Sequence, residues 1–365
     1  MAQAQVSRTM RAAKKIGVLT FHKCINYGSY WQARCLVEGL LSAGHDAVLL
    51  DHDSPEVNRA EVRCAFQPGL PRRTPAEMLS AYKAKTRLFR KAFRKLPTSD
   101  PFPIDRPAEA GEYDAIVVGS DEVWNFRHPW YADRPIFFGE GLRTGRLLSY
   151  AASFGNHDAN RGIREDRAQQ LRTFDAISVR DANSKALVEP ALGREVEMVL
   201  DPCLQFADGI QVPQAQPAGA YVIVYGHGFP DWLQAAVRRW SKARSVPLIS
   251  VGYQNDWADE QRIAVGPEEF AALMRGARAA VTNFFHGCVF SLLNDKPFVA
   301  SRTEYRSNKV RDLLAQLSAS ERLVDAGSDA AMIGELLDEP PSSATGEAIR
   351  DYRHRSQAFL DAALA

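Results

Sequence analysis

Four short segments of the chain carry the residue types that anion binding and proton transfer require. Asn26-Tyr27-Gly28-Ser29, Gly119-Ser120-Asp121-Glu122, Arg180-Asp181 and Phe284-Phe285-His286-Gly287 are polar or glycine-bearing, and each follows an apolar run. A histidine, with an ordinary pKa of about 6.5, can deliver a proton near neutrality. An arginine can grip a carboxylate or phosphate through two parallel hydrogen bonds. A helix start presents unpaired N–H groups to an anion. Each segment also has a plainer reading. Asn26–Ser29 reads as a turn with Ser29 as N-cap, and Gly119-Ser120-Asp121 as a capped loop. His286 alone reads as a satisfied structural histidine, and Arg180 with Asp181 as a surface ion pair.

An alternation of strands and helices must position these segments. Ile16–Phe21 has the look of a buried strand, a helix follows over Tyr30–Ala43, and Asp46–Asp51 is a second strand, giving a βαβ unit. Tyr113–Gly119, Leu147–Ser153 and Ala176–Arg180 are expected as further strands. A basic helix over Lys83–Lys95 sits between proline-rich stretches and is expected outside the cleft, as a solvated face or a membrane-facing one. After a linker-like stretch at Pro213–Ala220 the pattern restarts with strands at Tyr221–Tyr225, Pro247–Val251, Ala279–Asn283 and Pro297–Ala300. Helices are expected at Asp231–Ala243, Pro267–Gly276 and Gly287–Leu293, with a last one over Glu347–Leu364. The expected plan is α/β, two Rossmann-like domains in a GT-B-like arrangement. Its parts are a disordered tail over 1–15, domains over 16–210 and 216–330, and a C-terminal segment, 340–365, crossing back to the first domain. In open parallel sheets ligands bind beyond the carboxyl ends of the strands, where all four segments fall.

The composition narrows the function. At 365 residues the chain has room for two cores. A net charge of +1 lacks the basic footprint of a nucleic-acid-coating protein. The opening residues lack the apolar stretch of a secretory signal, and no run approaches the roughly 20 apolar residues of a membrane helix. The five cysteines, Cys24, Cys35, Cys64, Cys203 and Cys288, form no C-x-x-C pair, as expected of reduced thiols in a cytoplasm. Phosphate-loop, dinucleotide-fingerprint and H-E-x-x-H motifs are absent, so no nucleotide cofactor or metal is expected.

Taken in order, these blocks resemble the polysaccharide pyruvyl transferase family. They are Asn26–Ser29, Tyr113–Asn125, Ser149–Gly155, Ser178–Asp181, Val199–Pro202, Val281–Ser291 and Asn294–Val299. The resemblance implies a GT-B fold that moves the carbon skeleton of phosphoenolpyruvate onto a sugar as a cyclic pyruvate ketal. It implies that the first domain takes the acceptor, a sugar or lipid-linked oligosaccharide, and the second the donor, with no cofactor beyond the donor itself. His286 and Arg180 are carried over as donor-site residues, with His286 as the proton donor. The N–H groups of Gly287, Cys288 and Val289 are expected to face the ligand. Asp121 is the candidate for orienting or deprotonating the acceptor hydroxyl. Asn26, Gly28, Ser120, Phe285 and Lys309 complete the candidate donor site, with Arg302, Arg306 or Arg311 as further cations. Some relatives carry an arginine where this chain has Phe284, so a donor charge must come from elsewhere. Two other readings remain: a GT-B glycosyltransferase using a nucleotide sugar, and a family member repurposed for binding without catalysis.

Overall fold

The computed structural model describes residues 12–210, 220–302 and 307–365. Its apolar runs form two separate parallel sheets. The first comprises β1 (Lys15–Leu19), β2 (Asp46–Leu49), β3 (Glu112–Val118) and β4 (Arg143–Ser149) in the order β2-β1-β3-β4. The second comprises β5 (Val222–Tyr225), β6 (Leu248–Val251), β7 (Glu260–Arg262), β8 (Ala279–Thr282), β9 (Phe298–Ser301) and β10 (Leu323–Val324). Its order is β7-β6-β5-β8-β9-β10. Central strands such as Ala115–Val118 and Val222–Tyr225 are buried throughout, because helices cover both faces of a parallel sheet.

The first half contributes α1 (Tyr27–Ser42), α2 (Pro55–Phe66), α3 (Leu79–Phe93), α4 (Glu165–Leu171), α5 (Ala182–Leu192) and the short α6 (Pro202–Gln205). The second contributes α7 (Asp231–Arg244), α8 (Pro267–Gly276), α9 (Phe285–Leu293), α10 (Ser307–Gln316) and α11 (Ala330–Asp338). The last helix, α12 (Ser343–Ala363), packs beside α6, where Leu200 N donates to Ser356 Oγ and Arg353 Nε to Leu204 O. The fold is α/β, two Rossmann-like units in a GT-B-like arrangement. One apolar core runs across the seam between them. Tyr27 of α1 stacks on Phe270 of α8 at 4.3 Å, and Trp31 Nε1 donates to Pro267 O.

Several sequence expectations need correction. Helix α1 starts at Tyr27, not Tyr30, because Asn26 rather than Ser29 is the N-cap and accepts from Gly28 N and Ser29 N. Strand β4 ends at Ser149; beyond it Ala151 takes a positive φ of 51°, and Ala152 makes only isolated bridges. The expected fifth strand shrinks to Ser178–Val179, paired with Glu197–Met198. Lys15 belongs to β1, not to a tail; residues 1–11 and 211–219, the latter holding all of the linker-like stretch but Ala220, lie outside the described residues. Helix α3 does not stand clear of the cleft. Tyr82, Lys85, Phe89 and Ala92 form a buried stripe at helical spacing that turns into the seam, leaving Lys83, Arg87, Arg90, Lys91 and Arg94 on the solvent side. No described helix is long and apolar enough to cross a membrane.

Candidate active site

A cleft of about 310 Å³ opens where the carboxyl ends of both sheets meet. Of the candidate site residues named from the sequence, Asn26, Asp121, Arg180, Phe285, His286 and Lys309 line it, and Gly28, Ser120 and Gly287 do not.

A buried chain of charges forms the cleft floor. Ser29 Oγ donates to Asp121 Oδ2 at 2.7 Å, and Arg180 Nη2 approaches Asp121 Oδ1 at 3.3 Å. Arg180 Nη1 lies 3.2 Å from Asp201 Oδ2, which in turn lies 3.4 Å from His286 Nε2. The last contact lacks hydrogen-bond alignment, and Arg180 Nε likewise has no hydrogen-bond partner among the described residues. Burial pushes the Asp201 carboxyl up, but His286 and Arg180 overcome this and hold it at about 2. Arg180 is only 2% exposed, and its guanidinium sits over the Phe285 ring at 4.5 Å. Burial alone would lower the Arg180 pKa, yet Asp121 and Asp201 raise it. Asp121 adopts a φ of 76°, a left-handed conformation that aspartate tolerates better than most side chains.

Local sequence explains how these groups come together. Residue 28 must be glycine: a Cβ there would stand 2.0 Å from His286 Nδ1, so its absence lets the start of α1 touch the imidazole. Gly287 serves packing rather than ligand binding, since a Cβ would meet Thr282 Oγ1 at 2.0 Å. The expected anion cradle at Gly287, Cys288 and Val289 is also not there. Helix α9 begins at Phe285, so Gly287 N and Cys288 N already bond to Phe284 O. Ser120 lies outside the cleft lining, with Oγ donating to Ala151 O and its carbonyl accepting from Thr20 Oγ1. Asp181 forms no surface pair with Arg180; it is buried and caps α5 through Ser184 N.

The other expected cations are engaged or absent from the cleft. Lys309 forms a close ion pair with Glu122. Burial raises the Glu122 carboxyl, but Lys309 more than offsets this and brings it to about 2. Arg311 pairs with Asp312, Arg302 is exposed, and Arg306 lies outside the described residues. Asp201, Cys203 and His286 bring three metal-ligand atoms within 4.8 Å of one another. They do not suit a cation: Arg180 already sits against the same Asp201 oxygen, and burial pushes the Cys203 thiol well up.

The family model for polysaccharide pyruvyl transferases matches residues 26–304, which include Asn26, Asp121, Arg180, Asp201 and His286. The chain belongs to the polysaccharide pyruvyl transferase family. Among curated proteins, none matches it significantly. Its fold is similar to that of a UDP-GlcNAc 2-epimerase from Methanocaldococcus jannaschii, at 11% identity over 92% of this chain and 98% of that one, with a TM-score of 0.47. It is similar also to a glycosyltransferase of Streptomyces sp. SF2575 complexed with thymidine diphosphate, at 15% identity over 96% and 100% of the two chains, with a TM-score of 0.48.

Other residues of this pyruvyl transferase family member reach the cleft without having been singled out. Lys85 comes from α3; Asp201, inside a block that carried the family resemblance but given no role, stands behind Arg180 and His286 rather than in the lining. On the first-half wall, Glu61 Oε1 accepts from Trp130 Nε1 at 2.7 Å and from the Cys24 thiol at 2.8 Å, while Oε2 accepts from Ile25 N. Burial pushes the Glu61 carboxyl up, and it pushes His128 beside this wall down. The helical spacing of Lys85 with Tyr82 and Phe89 is a readable signal. Nothing local in the sequence joins Glu61 to Trp130.

Proposed function

We propose that the protein transfers the pyruvyl group of phosphoenolpyruvate to a pair of sugar hydroxyls, forming a cyclic ketal and releasing phosphate. The observation that carries this reading is the placement of His286 at the cleft, backed by the Asp201 carboxylate and facing Asp121 across the seam. His286 donates a proton to the methylene carbon of the donor, making it a methyl group and leaving an oxocarbenium-like centre at the adjacent carbon. Asp201 offsets the positive charge that the imidazole carries before the transfer. The first sugar hydroxyl adds to that centre and loses its proton, with Asp121 orienting it. Phosphate then leaves with its bonding pair, and the second hydroxyl closes the ketal and gives up its proton. Asp121, Glu61 and Trp130 belong to the first half, the acceptor side in this reading. An aromatic ring beside a carboxylate suits a sugar, which offers apolar C–H faces and hydroxyl donors.

A second observation favours this donor over a nucleotide sugar. Among the described residues, those that the second half contributes to the cleft are Tyr225, His227, Tyr253, Phe284, Phe285, His286 and Lys309, and none is a carboxylate for ribose hydroxyls. Glu268, at the start of α8, is occupied by Lys95 and Arg34. The exposed cations of α3 would face an anionic membrane bearing a lipid-linked acceptor. The test is thermal unfolding with phosphoenolpyruvate, UDP-, GDP- and TDP-sugars in parallel, where ligand at about 100 times its Kd adds roughly 2.7 kcal/mol. Protection by phosphoenolpyruvate alone is expected; protection by a nucleotide sugar alone would overturn the reading.

A further inference from the structure

The cations of this cleft are unequally placed to receive an anion. Arg180 is clamped between Asp121 and Asp201, and Lys309 is held by Glu122. Lys85 lines the same cleft, is 3% exposed, and has no carboxylate within ion-pair distance among the described residues. Its ammonium lies 4.3 Å from the Tyr253 ring centroid, 5.0 Å from that of Tyr27 and 5.9 Å from that of Phe89. It donates one hydrogen bond, at 2.8 Å, to the carbonyl of Gly252. An ammonium has three donors, so two lack a hydrogen-bond partner among the described residues, in a position stripped of much of its water. Aromatic faces recover part of the lost hydration, but they supply no counter-charge.

We infer that Lys85 is the anion-binding residue of the cleft, taking the phosphate or carboxylate of the donor where the two halves meet. The inference rests on the proposed donor for its choice of ligand, but not for the subsite itself. Lys85 stands on α3 of the first half, and Gly252 and Tyr253 follow β6 of the second, so an anion held there also fastens the seam. The role fills the charge left open at Phe284. That ring packs edge-on against Tyr253 at 5.0 Å, so the aromatic position and the ammonium contact the same tyrosine.

The protonation behaviour follows from the surroundings. Burial lowers the Lys85 ammonium to about 7, with Cys64 opposing the shift slightly. The other titratable groups facing it are the phenols of Tyr27 and Tyr253, and burial pushes that of Tyr27 well up, so it stays neutral. An anion favours the charged form of Lys85, so binding above neutrality draws a proton from solution.

The experiment is titration calorimetry on the full chain with phosphoenolpyruvate, and separately with inorganic phosphate, at about pH 8 in two buffers of different ionisation enthalpy. Lys85→Met should raise the Kd for phosphoenolpyruvate roughly 10–100-fold, the worth of a charged hydrogen bond. Lys85→Arg should retain binding while abolishing the proton uptake seen in the wild type, because arginine never gives up its proton. That readout decides the matter even if Lys85→Met does not fold. Phosphate binding that depends on Lys85, with none for phosphoenolpyruvate, would uphold the subsite and remove the proposed donor. Phosphoenolpyruvate binding unchanged in Lys85→Met, with unchanged proton uptake in Lys85→Arg, would overturn the inference and leave the donor standing. A wild type that binds neither anion would also overturn it.

Discussion

At the scale of single residues, the proposed chemistry rests on contact between an imidazole and the start of a helix from the other half. His286 meets the space left by Gly28, and its Nε2 faces Asp201, so its orientation is set by two neighbours rather than by its own helix. Replacing it with asparagine should leave the surrounding core intact and remove the proposed proton donor. Turnover should then fall by roughly 10²–10⁴ with the melting temperature nearly unchanged. Steady-state kinetics and a thermal melt on one sample check this, and near-wild-type turnover would remove His286 from the mechanism. Gly28→Ala is the companion test. The new Cβ falls 2.0 Å from His286 Nδ1 and must push the ring away, so turnover should drop although residue 28 itself has no chemistry. Unchanged kinetics in Gly28→Ala would mean that the ring position does not matter.

At the scale of elements, α3 is a helix with two employments. Its buried stripe carries Lys85 into the cleft, and its outer face carries Lys83, Arg87, Arg90, Lys91 and Arg94 with no ion-pair partner among the described residues. No acidic residue lies between Leu79 and Lys95, so nothing on the helix dilutes that charge. Near an anionic surface each cation contributes about 1 kcal/mol. Reversing Lys83, Arg87 and Arg90 to glutamate should therefore abolish co-sedimentation with phosphatidylserine vesicles while leaving the circular dichroism spectrum unaltered. Equal sedimentation of the variant and the wild type would reduce this face to an ordinary solvated one.

At the scale of the molecule, the two halves share a core and a set of seam contacts, among them Lys309–Glu122, His286–Asp201 and Lys95–Glu268. Glu122 and Asp201 are held at about 2, below their ordinary values of 4.5 and 3.8. A carboxylate whose folded pKa is depressed adds stability that is complete above its ordinary pKa and is lost as pH falls toward the folded value. The melting temperature should therefore begin to fall below about pH 6.5, where burial keeps His128 and His52 from charging until the chain unfolds, and fall further from about pH 5 toward about pH 2 as these carboxylates take up protons. Calorimetry across that range checks it, and Glu122→Gln should flatten the fall. A level profile in the wild type would show that these pairs contribute nothing.

The strand–helix alternation, the two parallel sheets and the family were legible in the sequence, because local apolar periodicity and ordered blocks survive in one dimension. Legible too were the segments that meet at the cleft, since parallel strands deliver their carboxyl ends to one side. Which members of those segments line the cleft was not. Ser120 and Gly287 stand in the right segments yet serve packing, and Arg180 spends its fork on Asp121 and Asp201, contacts 59 and 21 positions away. Lys85 had the composition of a surface helix and the position of a core stripe, and only burial against Tyr27, Phe89 and Tyr253 settles which prevails. Sequence spacing determines which face of a helix a residue occupies; what stands opposite that face, and so whether its charge is solvated, paired or free to take an anion, is decided by packing between segments far apart in the chain.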